Sequence, residues 1–138
     1  MVQVREIKFR AWHPQKGWSQ LVIVYGDGSF DTTYDNVSGY SREDGVILIQ
    51  YTGLKDKNGK EIYEGDIVEV KDYGFAYKYI GVVNWDKDSF SYKVGIYKDY
   101  STMSAGLRDI PRTLENHSFE IIGNIYENPE LLEGGENI

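Results

Sequence analysis

Phe90-Ser91-Tyr92-Lys93-Val94-Gly95-Ile96-Tyr97 reads as a β-strand. Phe90, Tyr92, Val94 and Ile96 alternate with Ser91 and Lys93, and a period of two places apolar side chains on one face of a pleated strand. Asp86-Lys87-Asp88 just before it supplies a turn, and Tyr79 to Trp85 supplies a partner strand, so the segment closes as a hairpin.

Working outward, the same pattern recurs. Tyr63-Glu64-Gly65-Asp66 makes a tight corner into Ile67 to Lys71. Val46 to Thr52 and Lys60 to Tyr63 flank Asp56-Lys57-Asn58-Gly59, whose Asn-Gly step tolerates a positive φ and turns the chain back. Leu21 to Tyr25 is a continuous apolar run that Gly26-Asp27-Gly28 joins to Ser29 through Tyr34, a hairpin signal. Arg5 to Trp12 places Ile7, Phe9 and Ala11 on one face and Glu6, Lys8 and Arg10 on the other, and Phe119 to Tyr126 adds a last strand. After it, Asn128 is expected to cap a short helix with Pro129 at its first position and Glu130 to Glu133 completing the turn. Gly134 to Ile138 is expected to fray.

Short strands with turns at near-regular spacing predict a mainly β fold, an antiparallel barrel or sandwich with a short C-terminal helix. Tyr63 to Val70 followed by Gly81-Val82-Val83 has the layout of small SH3-like barrels, an analogy at the level of fold alone. A single domain over 1–138 is expected: N-terminal strands and hairpin in 1–46, a barrel region in 47–128, and the helix and tail in 129–138. Residues 97–118 show no convincing periodicity, and a loop of that length in a compact domain is a candidate surface for a partner or an oligomer.

Composition narrows the chemistry. The 12 tyrosines, 5 phenylalanines and 3 tryptophans suit half-buried pleated surfaces. Without cysteine there is no disulfide, thiol nucleophile, iron–sulfur cluster or Cys-bearing zinc site. No segment approaches the about 20 apolar residues of a membrane span, and no secretory signal is visible, so a protein of the bacterial cytoplasm with no membrane partner is expected. The Asn-x-Ser sequons at Asn36 and Asn116 then carry no glycan. A net charge of −7 disfavours nucleic acid. Its distribution is uneven: residues 113–138 hold six Glu and no Lys or Arg, whereas residues 1–20 hold four basic side chains against one acidic.

Three motifs tempt a chemical reading and fail on spacing. Gly53 to Glu61 resembles a phosphate-binding loop, yet five residues separate its first two glycines, Glu61 stands where Ser or Thr would hold magnesium, and no helix follows. Asp56, Asn58 and Gly59 echo a calcium loop with the glycine too early and the twelfth-position acid missing. His13 and His117, the only histidines, are expected at surface or turn positions, and no Gly-x-Ser-x-Gly elbow marks a hydrolase. No catalytic, cofactor-binding or metal-binding residue is assigned. Tyr73, Phe75, Tyr77 and Tyr79 recur at period two; exposed beside Lys71 and Lys78, that row would stack bases or hold an extended peptide, and buried it would be core.

Three blocks carry a resemblance. Arg5 to Trp12, Gln50 to Val68 (QYTGLKDKNGKEIYEGDIV) and Ile122 to Leu132 (IGNIYENPELL) look like the signature blocks of the YopX family of small phage- and prophage-encoded proteins, in that family's order. The resemblance implies a mostly β fold and brings no assigned activity, catalytic residue or cofactor, so no functional residue is carried over. Gly53, Gly59, Gly65, Asp66 and Asn128-Pro129 read as framework. The function expected is a non-enzymatic binding or assembly module acting on a phage or host protein, with a homo-oligomer as one form of it. Its candidate partner-binding residues are Arg5, Lys8, Arg10, Tyr73, Phe75, Tyr77 and Tyr79. The alternatives are a nucleic-acid-binding accessory protein using those same residues, and a small enzyme with an unrecognised site.

Overall fold

A computed structural model describes residues 6–34, 39–72, 77–99, 107–109 and 117–132. Among them run β1 (Phe9–His13), β2 (Gly17–Trp18), β3 (Leu21–Val24), β4 (Phe30–Thr33), β5 (Ile47–Lys55), β6 (Glu61–Tyr63), β7 (Asp66–Asp72), β8 (Tyr77–Asp86), β9 (Ser91–Asp99), β10 (Leu107–Asp109) and β11 (His117–Asn124), followed by a 3-10 turn at Pro129–Leu131. The strand pairs whose register is described are antiparallel. The chain is mainly β and antiparallel, as its period-two patterning predicts.

Two compact units, Met1–Tyr51 and Thr52–Ile138, divide the chain within β5. In the first, β1 pairs with β2 through Trp12↔Trp18 and with β5 through Phe9↔Gln50, Arg10↔Ile49, Ala11↔Leu48 and Trp12↔Ile47. Alternation along β1 buries Ala11 and His13, and Ile49 and Tyr51 of β5 are buried in the same unit. Ile7, expected to share the face of Ala11, precedes the strand and is exposed. β3 and β4 form a separate two-stranded ribbon. Its turn closes as the glycines require: the Gly28 N–H donates to Tyr25 O, Gly28 takes φ 87°, and the Asp27 carboxylate accepts the Ser29 N–H at 2.9 Å.

In the second unit five strands lie in the order β10-β9-β8-β7-β11. Val68 and Val70 of β7, Tyr79 and Val83 of β8, Val94 of β9 and Phe119 of β11 close a core with Ile62 of β6, flanked by Leu54, Tyr92 and Ile121. The pairs Val70↔Tyr79 and Val83↔Val94 lie directly opposite one another, so cross-strand contacts build this core from the period-two faces. Two glycines permit close approaches that any side chain would block. A Cβ on Gly81, at the bulge beside Ile80, would sit 2.5 Å from the Gly95 carbonyl oxygen, and one on Gly123 would sit 2.7 Å from Asn128 Oδ1.

The structure corrects several expectations. Phe90 does not join the inward face of β9; it closes the preceding turn at φ 53° and is 81% exposed. The span 97–118 contains β10, whose Leu107 pairs with Gly95 of β9; residues 100–106 and 110–116 lie outside the described residues. The C-terminal helix is a single 3-10 turn without a side-chain cap. Asn128 Oδ1 instead accepts the Asn124 N–H at 3.2 Å, which withdraws it from capping.

Candidate functional site

Four buried polar side chains, those of His13, Asp56, Asp66 and Asn124, accept backbone N–H groups. His13 ends β1 and is 8% exposed, not a surface residue. Its Nδ1 accepts the N–H groups of Gln15 and Lys16 at 3.0 and 3.1 Å, which leaves the proton on Nε2, 3.1 Å from Glu43 Oε2. Glu43 also binds the Lys16 ammonium, and that hydrogen bond holds its carboxyl below the usual glutamate range. Both imidazole nitrogens are thus committed, and the ring latches the 13–16 turn to Glu43 with the Tyr34 ring set edge-on 5.7 Å away.

Asp56 plays the same part in the second unit. Its carboxylate is 4% exposed; Oδ1 accepts the N–H groups of Asn58 and Lys60 at 2.9 Å each, and Oδ2 accepts the Ile121 N–H of β11 at 3.1 Å. The turn that resembled a phosphate or calcium loop is therefore wired inward, with its acid consumed by amides. Asp66 Oδ2 closes the next corner on the Tyr63 N–H at 2.8 Å. Gly65 between them, at φ 83°, donates to Val83 O and accepts the Ile125 N–H, each at 2.9 Å. Asn124 Oδ1 accepts the N–H groups of Tyr126 and Glu127, while its Nδ2 donates to Glu127 Oε1 at 3.0 Å. These polar members of the second and third blocks hold turns and strand ends.

Of the candidate partner-binding residues, the side chains of Lys8, Arg10 and Tyr79 are among those described. Lys8 pairs with Glu6 at 3.1 Å and stands 5.8 Å from the Tyr51 ring. Arg10 lies over the Trp18 ring, 4.2 Å from its centroid. Tyr79 is 2% exposed within the core, so its ring is closed to bases and peptides. Tyr77 opens β8 opposite Asp72, and Arg5, Tyr73 and Phe75 lie outside the described residues. Among the described residues no three His, Asp or Glu side chains are grouped so as to hold a metal ion, and no helix is long and apolar enough to cross a membrane.

Some large apolar side chains face outward, and sequence reasoning missed them. Leu21, Ile23, Val24 and Tyr25 are exposed although they form a continuous apolar run, and among the described residues β3 has β4 as its only hydrogen-bonded strand partner. Beside this ribbon the Tyr25 hydroxyl donates to Asp31 at 2.7 Å and Arg42 pairs with Asp31 at 3.0 Å. The Tyr25 hydroxyl, and next the Arg42 guanidinium, lower the Asp31 carboxyl, and the same bond to Asp31 raises the Tyr25 phenol. At the β8–β9 turn Trp85 meets Tyr92 edge-on at 5.0 Å, and Phe90 of the same turn is exposed to solvent. The signal for the β3 patch is a lack of alternation: a strand that buries one face mixes polar and apolar residues, and β3 does not.

Two solved structures are similar in fold. One is protein yopX from Bacillus subtilis, at a TM-score of 0.59 and 21% identity over 91% of this chain and 97% of that one. The other is protein EF1440 from Enterococcus faecalis, at 0.58 and 24% identity over 94% of this chain and 100% of that one. No curated protein matches the sequence significantly. The profile of the YopX family, described as YopX protein, matches residues 8–133, and the chain belongs to the YopX family.

Proposed function

We propose that this protein is a non-enzymatic binding or assembly module that acts in the bacterial cytoplasm on a phage or host protein. One contrast supports the reading. His13, Asp56, Asp66 and Asn124, the buried groups with catalytic potential, accept backbone N–H groups, whereas Leu21, Ile23, Val24 and Phe90 present apolar surface to solvent. A reaction centre needs lone pairs and protons directed at a substrate, and a binding module needs exposed apolar anchors. Size-exclusion chromatography with light scattering, joined to affinity capture from host lysate, tests it. A defined oligomer or a stoichiometric captured protein is expected, and a strict monomer that captures nothing contradicts the reading.

A further inference from the structure

Among the described residues the edge of β3 remote from β4 pairs with no strand, the feature most at odds with an isolated chain. Leu21, Val22, Ile23 and Val24 pair with Thr33, Thr32, Asp31 and Phe30 of β4, and the two strands make a sheet by themselves. Leu21, Ile23, Val24 and Tyr25 are 59, 38, 36 and 43% exposed. Not one charged side chain or proline falls between Gly17 and Gly26.

The direction of the edge follows from the hydrogen bonds around it. The Tyr25 N–H donates to Ser29 O, which directs Tyr25 toward β4. Thr32 exchanges both backbone bonds with Ser41, which directs Thr32 away from β3. Antiparallel alternation then sends the N–H and C=O of Ile23 to β4 and those of Val22 and Val24 to the outer edge. Natural sheets block such edges with lysine, proline or bulges, and a two-stranded ribbon alone is marginal in water.

We infer that this edge pairs with β3 of a second copy of the chain, antiparallel about a twofold axis at Ile23. The inference rests on the assembly reading above and names its surface. Val22 would face the partner subunit's Val24 and Val24 the partner's Val22 in bonded pairs. Ile23 would face the partner's Ile23 across the axis in the narrow pair, with about 4.5 Å between Cα atoms. An antiparallel strand is complementary to itself in this way, and the pairing turns two marginal ribbons into one four-stranded sheet. Charge selects the same contact. A chain of net charge −7 repels its copies, and a twofold axis sets each charged group near it against its own mate, but this stretch has no charge to oppose.

Sedimentation equilibrium on the full chain tests the pairing, using wild type, Ile23→Lys, Ile23→Asp and an equimolar mixture of the two variants. The wild type is expected to pass from monomer to dimer with concentration. Each variant, with wild-type circular dichroism, is expected to dissociate about tenfold or more easily, because like charges meet across the axis. The mixture is expected to recover dimer, since the introduced ammonium and carboxylate then face each other. Where a charged variant fails to fold, Ile23→Thr, polar and still β-branched, must weaken the dimer instead. A monomeric wild type at every concentration, or variants that dimerise as wild type does, overturns the pairing. Affinity capture separates the two readings: a wild-type chain that is monomeric yet captures a stoichiometric protein keeps the module and loses the β3 contact.

Discussion

Replacing Asp56 by alanine removes three hydrogen bonds from one buried carboxylate. The Asn58 and Lys60 N–H groups belong to an exposed turn, where water can take over, so each loss costs about 0.5–1.5 kcal/mol. The Ile121 N–H lies on β11 65 residues along the chain and is partly buried, so its loss costs about 1.5–3 kcal/mol as a bond to a charged group. Asp56→Ala is therefore expected to destabilise by about 3–5 kcal/mol, a large part of the about 5–15 kcal/mol that holds a typical domain. Asp56→Asn is expected to fall nearly as far, because one amide oxygen remains and the new NH2 points donors at donors. Urea unfolding followed by tryptophan fluorescence reads the change as a lower midpoint at unchanged m-value. A loss below about 1 kcal/mol for both variants refutes the structural role of this carboxylate and reopens the 56–60 turn as a ligand loop.

Gly65→Ala combines a positive φ with a Cβ 2.9 Å from the Tyr126 ring and is expected to cost about 2–4 kcal/mol. Gly59→Ala, at φ 80° with nothing within 4 Å, is expected to cost about 1 kcal/mol, so comparing their urea midpoints isolates the Tyr126 contact. Phe119→Ala, which empties a fully buried ring site, is expected to cost about 3–5 kcal/mol in the same assay. Because Lys16 lowers the Glu43 carboxyl in the folded state, its contribution is present above the unfolded-state value and is lost as pH falls through the lowered folded-state value. Wild type should then lose stability on acidification more steeply than Lys16→Met, and equal slopes would show that the pair carries no linkage. Single-stranded DNA titrated at low salt should show no anisotropy change, and salt-sensitive binding would instead restore the nucleic-acid reading.

Much of the fold is legible because turns and pleats are local. The Asn58-Gly59 step, the Glu64-Gly65-Asp66 corner and the alternation through Tyr92 and Val94 need only neighbours in sequence to be read, and each lies where the pattern places it. The site was less legible because its partners are remote. Glu43 is 30 residues from His13 and Ile121 is 65 from Asp56, so neither burial nor satisfied hydrogen bonding could be inferred from spacing. β3 misled for a different reason: a continuous apolar run usually marks a strand covered on both faces, and here it belongs to a two-stranded ribbon. Phe90 fell outside its pattern because the turn uses a left-handed residue at that position.

Amide hydrogen exchange on the wild-type chain tests most directly whether the block residues build architecture. The N–H groups of Asn58, Lys60 and Ile121 on Asp56, of Tyr63 on Asp66, and of Tyr126 and Glu127 on Asn124 should exchange far more slowly than open turns do, approaching strand amides such as those of Val68 and Val70. Exchange of those amides at unprotected rates would mean that these carboxylates and carboxamides are free to meet a ligand, and it would contradict the framework role.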